Sequence, residues 1–326
     1  GLAGLIAFAC ADLDITRGNP GAEMMRVGLG LLQPDFLATE GLGRALANTL
    51  AFAFQGVALG AAAGFLLALC WHRRAVRVGA ASVRAVHELF WGLLLMQVTG
   101  LSTLTGVLAI ALPYAGIFAK VFGEFLEEAD PAPAVALPDD RRRLGRFFYA
   151  RLPLIWASCK AYTGYRLECA LRASAILGFI GLPTLGFHLE TAFREGHYGE
   201  GAALLYLLFL LILTLRFWLR PLLLPFYLLA ALIWAPPVWT GSLQTLVRFV
   251  TEDLVPAPLK SGGGFAELWL WLATLWTEQI GPGVWHTVVL GLAALLLTAL
   301  LALVLFPLRS PLFGNRVSRG LGHFIL

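Results

Sequence analysis

Between Pro153 and Ile180 the chain carries an apolar run long enough to cross a bilayer, and Arg166, Glu168 and Arg172 stand inside it within seven residues. A charge at membrane depth costs a few kcal/mol or more, so such side chains face a protein interior or a water-filled path. A soluble core does not tolerate this pattern any better, and the composition removes that alternative. Hydrophobic residues make up 59% of the 326 and charged residues only 13%, against about 25% in a soluble domain. Mean hydropathy is +0.77. The chain reads as an all-α integral membrane protein, a polytopic helical bundle embedded in lipid.

A spanning helix needs about 20 mostly apolar residues. The expected spans are Ala45–Cys70, Glu88–Val98, Thr103–Glu124, Pro153–Ile180, Ala202–Leu219, Leu222–Trp239 and Val284–Leu305, with a truncated one ending near Ala11 and another starting at His323. Glu88–Val98 is too short to cross alone, so its helix is expected to begin nearer Val83 or to run into the Gly100 turn. Arginines gather after alternate spans: Arg73, Arg74, Arg77 and Arg84, then Arg141, Arg142, Arg143, Arg146 and Arg151, then Arg216 and Arg220, then Arg309, Arg316 and Arg319. That alternation makes those loops cytoplasmic. It also accounts for the net charge of +4 without nucleic acid. Segments Asp12–Arg44, His188–Glu200 and Thr240–Gly283 then lie outside.

The halves echo each other. Asn48-Thr49 and His286-Thr287 open apolar spans, and Arg74, Gly79 and Arg84 match Arg309, Gly314 and Arg319 at one common offset. A duplication is expected, with residues 1–220 forming a first unit of about six transmembrane helices (its first helix truncated) and 221–326 beginning a second, also truncated. Repeated halves around a central path are a common transporter design. From the residues alone, an ion-coupled secondary transporter and a non-transporting membrane scaffold remain open as well.

Catalytic and metal chemistry find little support. None of Lys120, Lys160 and Lys260 follows a glycine, so no phosphate-binding loop of the Walker type is present, and no HExxH or GxSxG occurs. Cys10, Cys70, Cys159 and Cys169 have no metal-ligand spacing. His188, Glu190, Glu195 and His197 sit in an outer segment and read as a solvated surface. No metal or cofactor is expected.

From Glu88-Leu89 the chain runs through Gly106-Val107-Leu108-Ala109, Ala115-Gly116, Lys120, Glu124 and the exit Glu127-Glu128-Ala129-Asp130-Pro131 to Tyr165-Arg166…Glu168…Arg172-Ala173…Leu177-Gly178. In this order, over Gly43–Arg220, it resembles the permease subunit of the phosphonate-type ABC importers, whose substrates are phosphonates, phosphite or phosphate. The resemblance implies the type I ABC importer permease fold in a bacterial cytoplasmic (inner) membrane. It implies a cytoplasmic ATPase partner that hydrolyses ATP and a soluble substrate-binding protein outside. Such permeases dock on the ATPase through a Glu-Ala-Ala loop with a glycine a few residues on. The corresponding stretch here holds Leu137, Asp139, Asp140, Arg141, Arg143 and Gly145, a degenerate version lacking the acidic start and the glycine at its usual place.

Arg166, Glu168, Arg172 and Glu88 are the candidate substrate-path residues. If Pro153 marks the cytoplasmic end, Arg166 lies about 20 Å deeper. Glu168 and Arg172, four apart, can pair on one helix face, whereas Arg166 points elsewhere and needs another partner or an anion. A guanidinium fork gives two parallel hydrogen bonds to a tetrahedral oxyanion; an interhelical ion-pair network would use the same residues structurally. Glu88 serves as a helix N-terminal acid or a residue of the inner mouth. Lys120 and Glu124 read as a local snorkelling pair. Gly178, Gly181, Pro183 and Gly186 break the helix and form an outer gate or the turn into the loop.

Overall fold

Helix formation follows directly from the membrane setting, because lipid offers no hydrogen-bond partner to an unpaired backbone group. The computed structural model describes residues 6, 19–130, 132–135, 145, 147–238, 242–262 and 264–309, and every regular element among them is helical. The main helices are α1 (Pro20–Leu32), α2 (Leu42–Ala68), α3 (Arg74–Ala85), α4 (Glu88–Thr99), α5 (Thr103–Glu128), α6 (Leu152–Ile176), α7 (Leu185–Glu195), α8 (Tyr198–Leu213), α9 (Leu224–Trp234), α10 (Phe265–Leu275) and α11 (Gly281–Arg309). They fall into two units, one of Gly21–Phe249 and one holding Val250–Leu326 together with Gly1–Pro20.

In the first unit the tightest pairing is α2 on α5. Gly56, Gly60 and Gly64, spaced four apart, present a bare stripe. A Cβ on Gly56 would stand 2.7 Å from that of Ile110, and one on Gly60 would stand 2.9 Å from that of Tyr114. Gly64 meets Phe118 more closely still. Lipid tails are as apolar as leucine, so helices in a bilayer associate through such close backbone approach rather than through apolar burial. Ile110 and Phe118 are fully buried in this seam, and Leu171 of α6 is buried in the same core.

Helix α9 also leans on α2. The buried Gln55 side chain donates from Nε2 to the carbonyls of Ala231 (2.7 Å) and Ala235 (2.9 Å), closing the C-terminal end of α9 within the bundle. Helix α1 is tied to α8 by two bonds, and Thr39, between α1 and α2, adds a third. Tyr198 donates to Glu23 Oε2 (2.9 Å), Tyr206 to the Leu31 carbonyl (2.7 Å), and Thr39 to Glu200 Oε1 (2.8 Å).

Three helical stretches have the length and composition of a full crossing: Leu42–Ala68, Thr103–Glu128 and Phe265–Phe306. Two bent pairs also qualify, Arg74–Ala85 with Glu88–Thr99 and Phe147–Ile180 with Leu185–Glu195. Of the two expectations for the short span, a start near Val83 or a run into the Gly100 turn, the helix takes the second, ending at Thr99 with Gly100 as its cap. The chain turns by 93° at Val86-His87, so α4 starts at Glu88 and α3 forms a separate basic amphipathic arm. Gly116 of α5 lets that arm in, since a Cβ there would meet the Ala80 carbonyl at 2.6 Å. The spans expected over Ala202–Leu219 and Leu222–Trp239 are shorter helices, α8 and α9.

In the second unit α10, a π-helical turn over Trp276–Ile280 and α11 form one continuous helical stretch. Helix therefore begins at Phe265, earlier than the expected Val284, because Phe265–Ile280 holds neither proline nor glycine.

Candidate functional site

Among the exposed positions on α6, Leu154, Ser158, Ala161, Tyr165 and Arg172 follow a spacing of four and three, and the partly exposed Glu168 completes the stripe. The end towards Leu152 is small and apolar; the far end carries the charges. Arg172 Nη2 lies 3.5 Å from Glu168 Oε1 and 3.9 Å from Cys169 Sγ, with both charged side chains about half exposed. Two charges on an unshielded helix face do not sit against lipid, so this face meets protein or water.

Arg166 lies beside that stripe in different surroundings. Its Nε donates to the Tyr162 hydroxyl (2.9 Å), one turn earlier on α6. The guanidinium carbon stands 5.2 Å from the Tyr162 ring centre, 5.5 Å from Tyr165 and 5.9 Å from Tyr114 of α5. Three ring faces thus stand around this half-buried arginine where a carboxylate would otherwise pair with it. Among the described residues no acid pairs with Arg166, and its single side-chain hydrogen bond uses Nε, leaving both Nη groups of the fork without a protein partner.

The cage is held from behind. Tyr162 meets Phe118 edge-on at 5.8 Å and Phe125 at 6.5 Å, while Tyr114 meets Phe118 at 6.3 Å. Phe118 is the residue that closes on Gly64, so the α2–α5 seam sets where the arginine stands. Glu88 stands at the first turn of α4. His87 caps α4 by accepting from the Leu89 amide, and its Nε2 is 3.7 Å from Glu88. The fold keeps Arg166, Glu168 and Arg172 on one stretch of α6, while Glu88 stands on α4, which packs through Gly92 against Leu177 and Ile180 of the turn after α6. Sequence reasoning missed the three tyrosines. Tyr162 at i−4 from Arg166 was available as a signal, but Tyr114, from another helix, was not.

Beyond Ile176 the helix tightens into a 3₁₀ turn over Leu177–Ile180 and breaks at Gly181, whose φ of +90° excludes most side chains. Gly178 and Gly186 pack backbone to backbone, with no room for a Cβ on either. The Leu185 amide donates to Thr49 (2.9 Å), and Asn48 donates to the Pro183 carbonyl (2.8 Å), so the turn is pinned to the first turns of α2.

At the opposite end of α5, Lys120 and Glu124 pair at 3.6 Å and Arg77 reaches Glu127 at 3.0 Å. Leu137, Asp139, Asp140, Arg141 and Arg143 lie outside the described residues, and Gly145 is helical. Glu190 pairs with Arg194, and Glu195 with His197 at 3.5 Å. Among the described residues no group of three potential metal ligands converges.

No protein-family model matches the chain. Over 216 residues it is 30% identical to the phosphite transport system permease protein PtxC of Stutzerimonas stutzeri, covering 62% of this chain and 78% of that one. Over 167 residues it is 33% identical to the phosphate-import permease protein PhnE of Mycolicibacterium smegmatis, covering 47% of this chain and 31% of that longer one. A solved chain of an amino acid ABC transporter with histidines aligns with a TM-score of 0.44 at 19% identity, over 65% of this chain and 99% of that one.

Proposed function

Because the chain belongs to the permease family of the phosphonate-type ABC importers, we propose that it moves a small phosphorus oxyanion, of the phosphite, phosphate or phosphonate class, inward across a bacterial cytoplasmic membrane. The permease makes no covalent change. A separate ATPase on the cytoplasmic side supplies the work, and a soluble binding protein delivers the anion outside. The path runs along the α6 stripe, and closure of the ATPases opens it to one side at a time.

One observation carries the reading: Arg166 is fixed by Tyr162 through Nε while its two Nη groups have no partner among the described residues, beside a charged stripe. A fork held in this way is organised to take two oxygens of a tetrahedral anion before the anion arrives. Arg172, half neutralised by Glu168, adds positive potential along the approach without a deep trap that would hold the anion too tightly. The rival assignment, a purely structural arginine, draws on the three ring contacts, which satisfy the charge without substrate.

The test is uptake of radiolabelled phosphate and phosphite into proteoliposomes holding the full-length permease with its ATPase and binding protein. Arg166→Lys keeps the charge but loses the fork and should lower uptake about tenfold, the factor equivalent to about 1.4 kcal/mol, while assembly and basal ATP hydrolysis persist. Undiminished uptake in Arg166→Lys and Arg166→Ala would assign the cage to structure. Absence of ATP-dependent uptake in the unmodified assembly would overturn the importer reading itself.

A further inference from the structure

A partly open cleft of about 640 Å³ lies between α2, α5, α6 and the start of α9. It is separate from the charged stripe. Lys160, Gly164 and Leu167 line it, each one residue before Ala161, Tyr165 and Glu168, and hence about 100° round the helix. Its walls are almost wholly apolar, with Phe54, Phe65, Phe122 and Trp156 the largest contributors. Of the two polar lining residues, Thr163 has its hydroxyl committed to the Cys159 carbonyl (2.8 Å). The other is Lys160, which has no acidic partner among the described residues and stands 6.0 Å over the Trp156 ring.

The cleft occupies the half of the bundle that carries the arginine-rich exits. Phe65 is within a turn of the end of α2 at Ala68, and Leu219 and Leu224 flank the turn holding exposed Arg220. An apolar hollow of this kind does not fill with water, and apart from Lys160 an oxyanion finds no charged donor in its walls. In a bilayer the solvent that fits it is an acyl chain. Lys160 lies about 12 Å along the helix from Leu152, within reach of the headgroups for a side chain that extends its ammonium outward. Basic groups around a cavity on the cytoplasmic side suit an anionic phospholipid.

We propose that this cleft is a binding site for one anionic phospholipid of the cytoplasmic leaflet. One acyl chain lies along Phe54, Phe65 and Leu228, and the headgroup phosphate meets Lys160 and Arg220. The occupied cleft fills the gap between α6 and α9, two helices that otherwise meet across it through few side chains.

Native mass spectrometry tests this on the full-length chain released from bilayers of mixed phosphatidylglycerol and phosphatidylcholine. One phosphatidylglycerol should remain bound. Lys160→Gln should reduce the preference for phosphatidylglycerol about fivefold, the contribution of one membrane-surface cation. Ala61→Trp, which fills the cleft, should abolish retention. Phosphatidylglycerol with a photoreactive acyl chain should label peptides of α6 and α9 in the unmodified protein, so the result does not depend on the variants folding. Label confined to other helices, retention unchanged in folded Ala61→Trp, or cross-linking of Trp156 to a second copy of the chain would each overturn the assignment.

Discussion

Gly64→Ala adds one methyl group to the α2–α5 seam, and its consequence can be worked from the geometry. The new Cβ would stand 2.8 Å from the Ala115 carbonyl oxygen and 3.0 Å from the Ala119 amide nitrogen, and nearer still to the Phe118 Cβ. Optimal carbon contacts are about 3.5–4.0 Å, and two of these neighbours are backbone, which no rotamer change can move. The helices must part locally by about 1 Å, and a gap of that size forfeits a quarter to a half of the dispersion energy between facing atoms. Overpacking of this kind costs about 1–3 kcal/mol. Alanine recovers up to about 1 kcal/mol of helix propensity, so the loss is about 0–2 kcal/mol against the unmodified protein and about 1–3 kcal/mol against an unhindered glycine-to-alanine change in the same helix. At about 2–4 °C per kcal/mol, melting should fall by about 2–12 °C relative to that control. Gly43→Ala, in the same helix with no atom within 4 Å of its added Cβ, is the control and should melt no lower than the unmodified protein. Because Phe118 also supports Tyr162, Gly64→Ala should disturb Arg166 and slow uptake as well. Thermal unfolding of both variants in one detergent decides the matter. If Gly64→Ala melts as high as Gly43→Ala, the close-approach reasoning is wrong.

Gln55→Leu should loosen α9, because the Ala235 carbonyl would lose its partner inside the bundle at a cost of about 1–3 kcal/mol; a melting temperature equal to that of the unmodified protein would refute this. The tie between α1 and α8 should be acid-sensitive. Hydrogen bonding from Tyr198, with help from Arg26, holds the exposed Glu23 carboxylate below its ordinary range. A depressed folded value means that the contribution is complete above the unfolded pKa of about 4.3 and disappears as pH falls through the folded value. A spin label at Met24 should therefore stay immobile at neutral pH and gain mobility only in acid below that range, whereas Glu23→Gln should remove the pH dependence. Gly186→Ala should prevent the turn after α6 from closing on the Ala175 carbonyl, read as lost folded yield; normal yield would contradict the close packing.

Much of the architecture was legible because it is local. Apolar runs of bilayer length, arginines at alternate exits and three charges within α6 are properties of neighbouring residues, and the helix class follows from the absence of any other way to pair a backbone in lipid. The pairing of Glu168 with Arg172 came from spacing alone, as did the break around Gly181 and Pro183. What Arg166 touches did not. The sequence determined that this arginine needs something other than Glu168, and only the tertiary structure decided that three aromatic rings answer, one of them brought from α5. The same holds for the 93° bend before Glu88 and for Gln55, whose carbonyl partners lie up to 180 residues along the chain. Periodicity fixes which face of a helix is apolar, but it carries no information about which residue of which other helix arrives opposite. In a bilayer that choice rests on steric fit between small residues, as at Gly56, Gly60 and Gly64, and such fit exists only once the helices are packed.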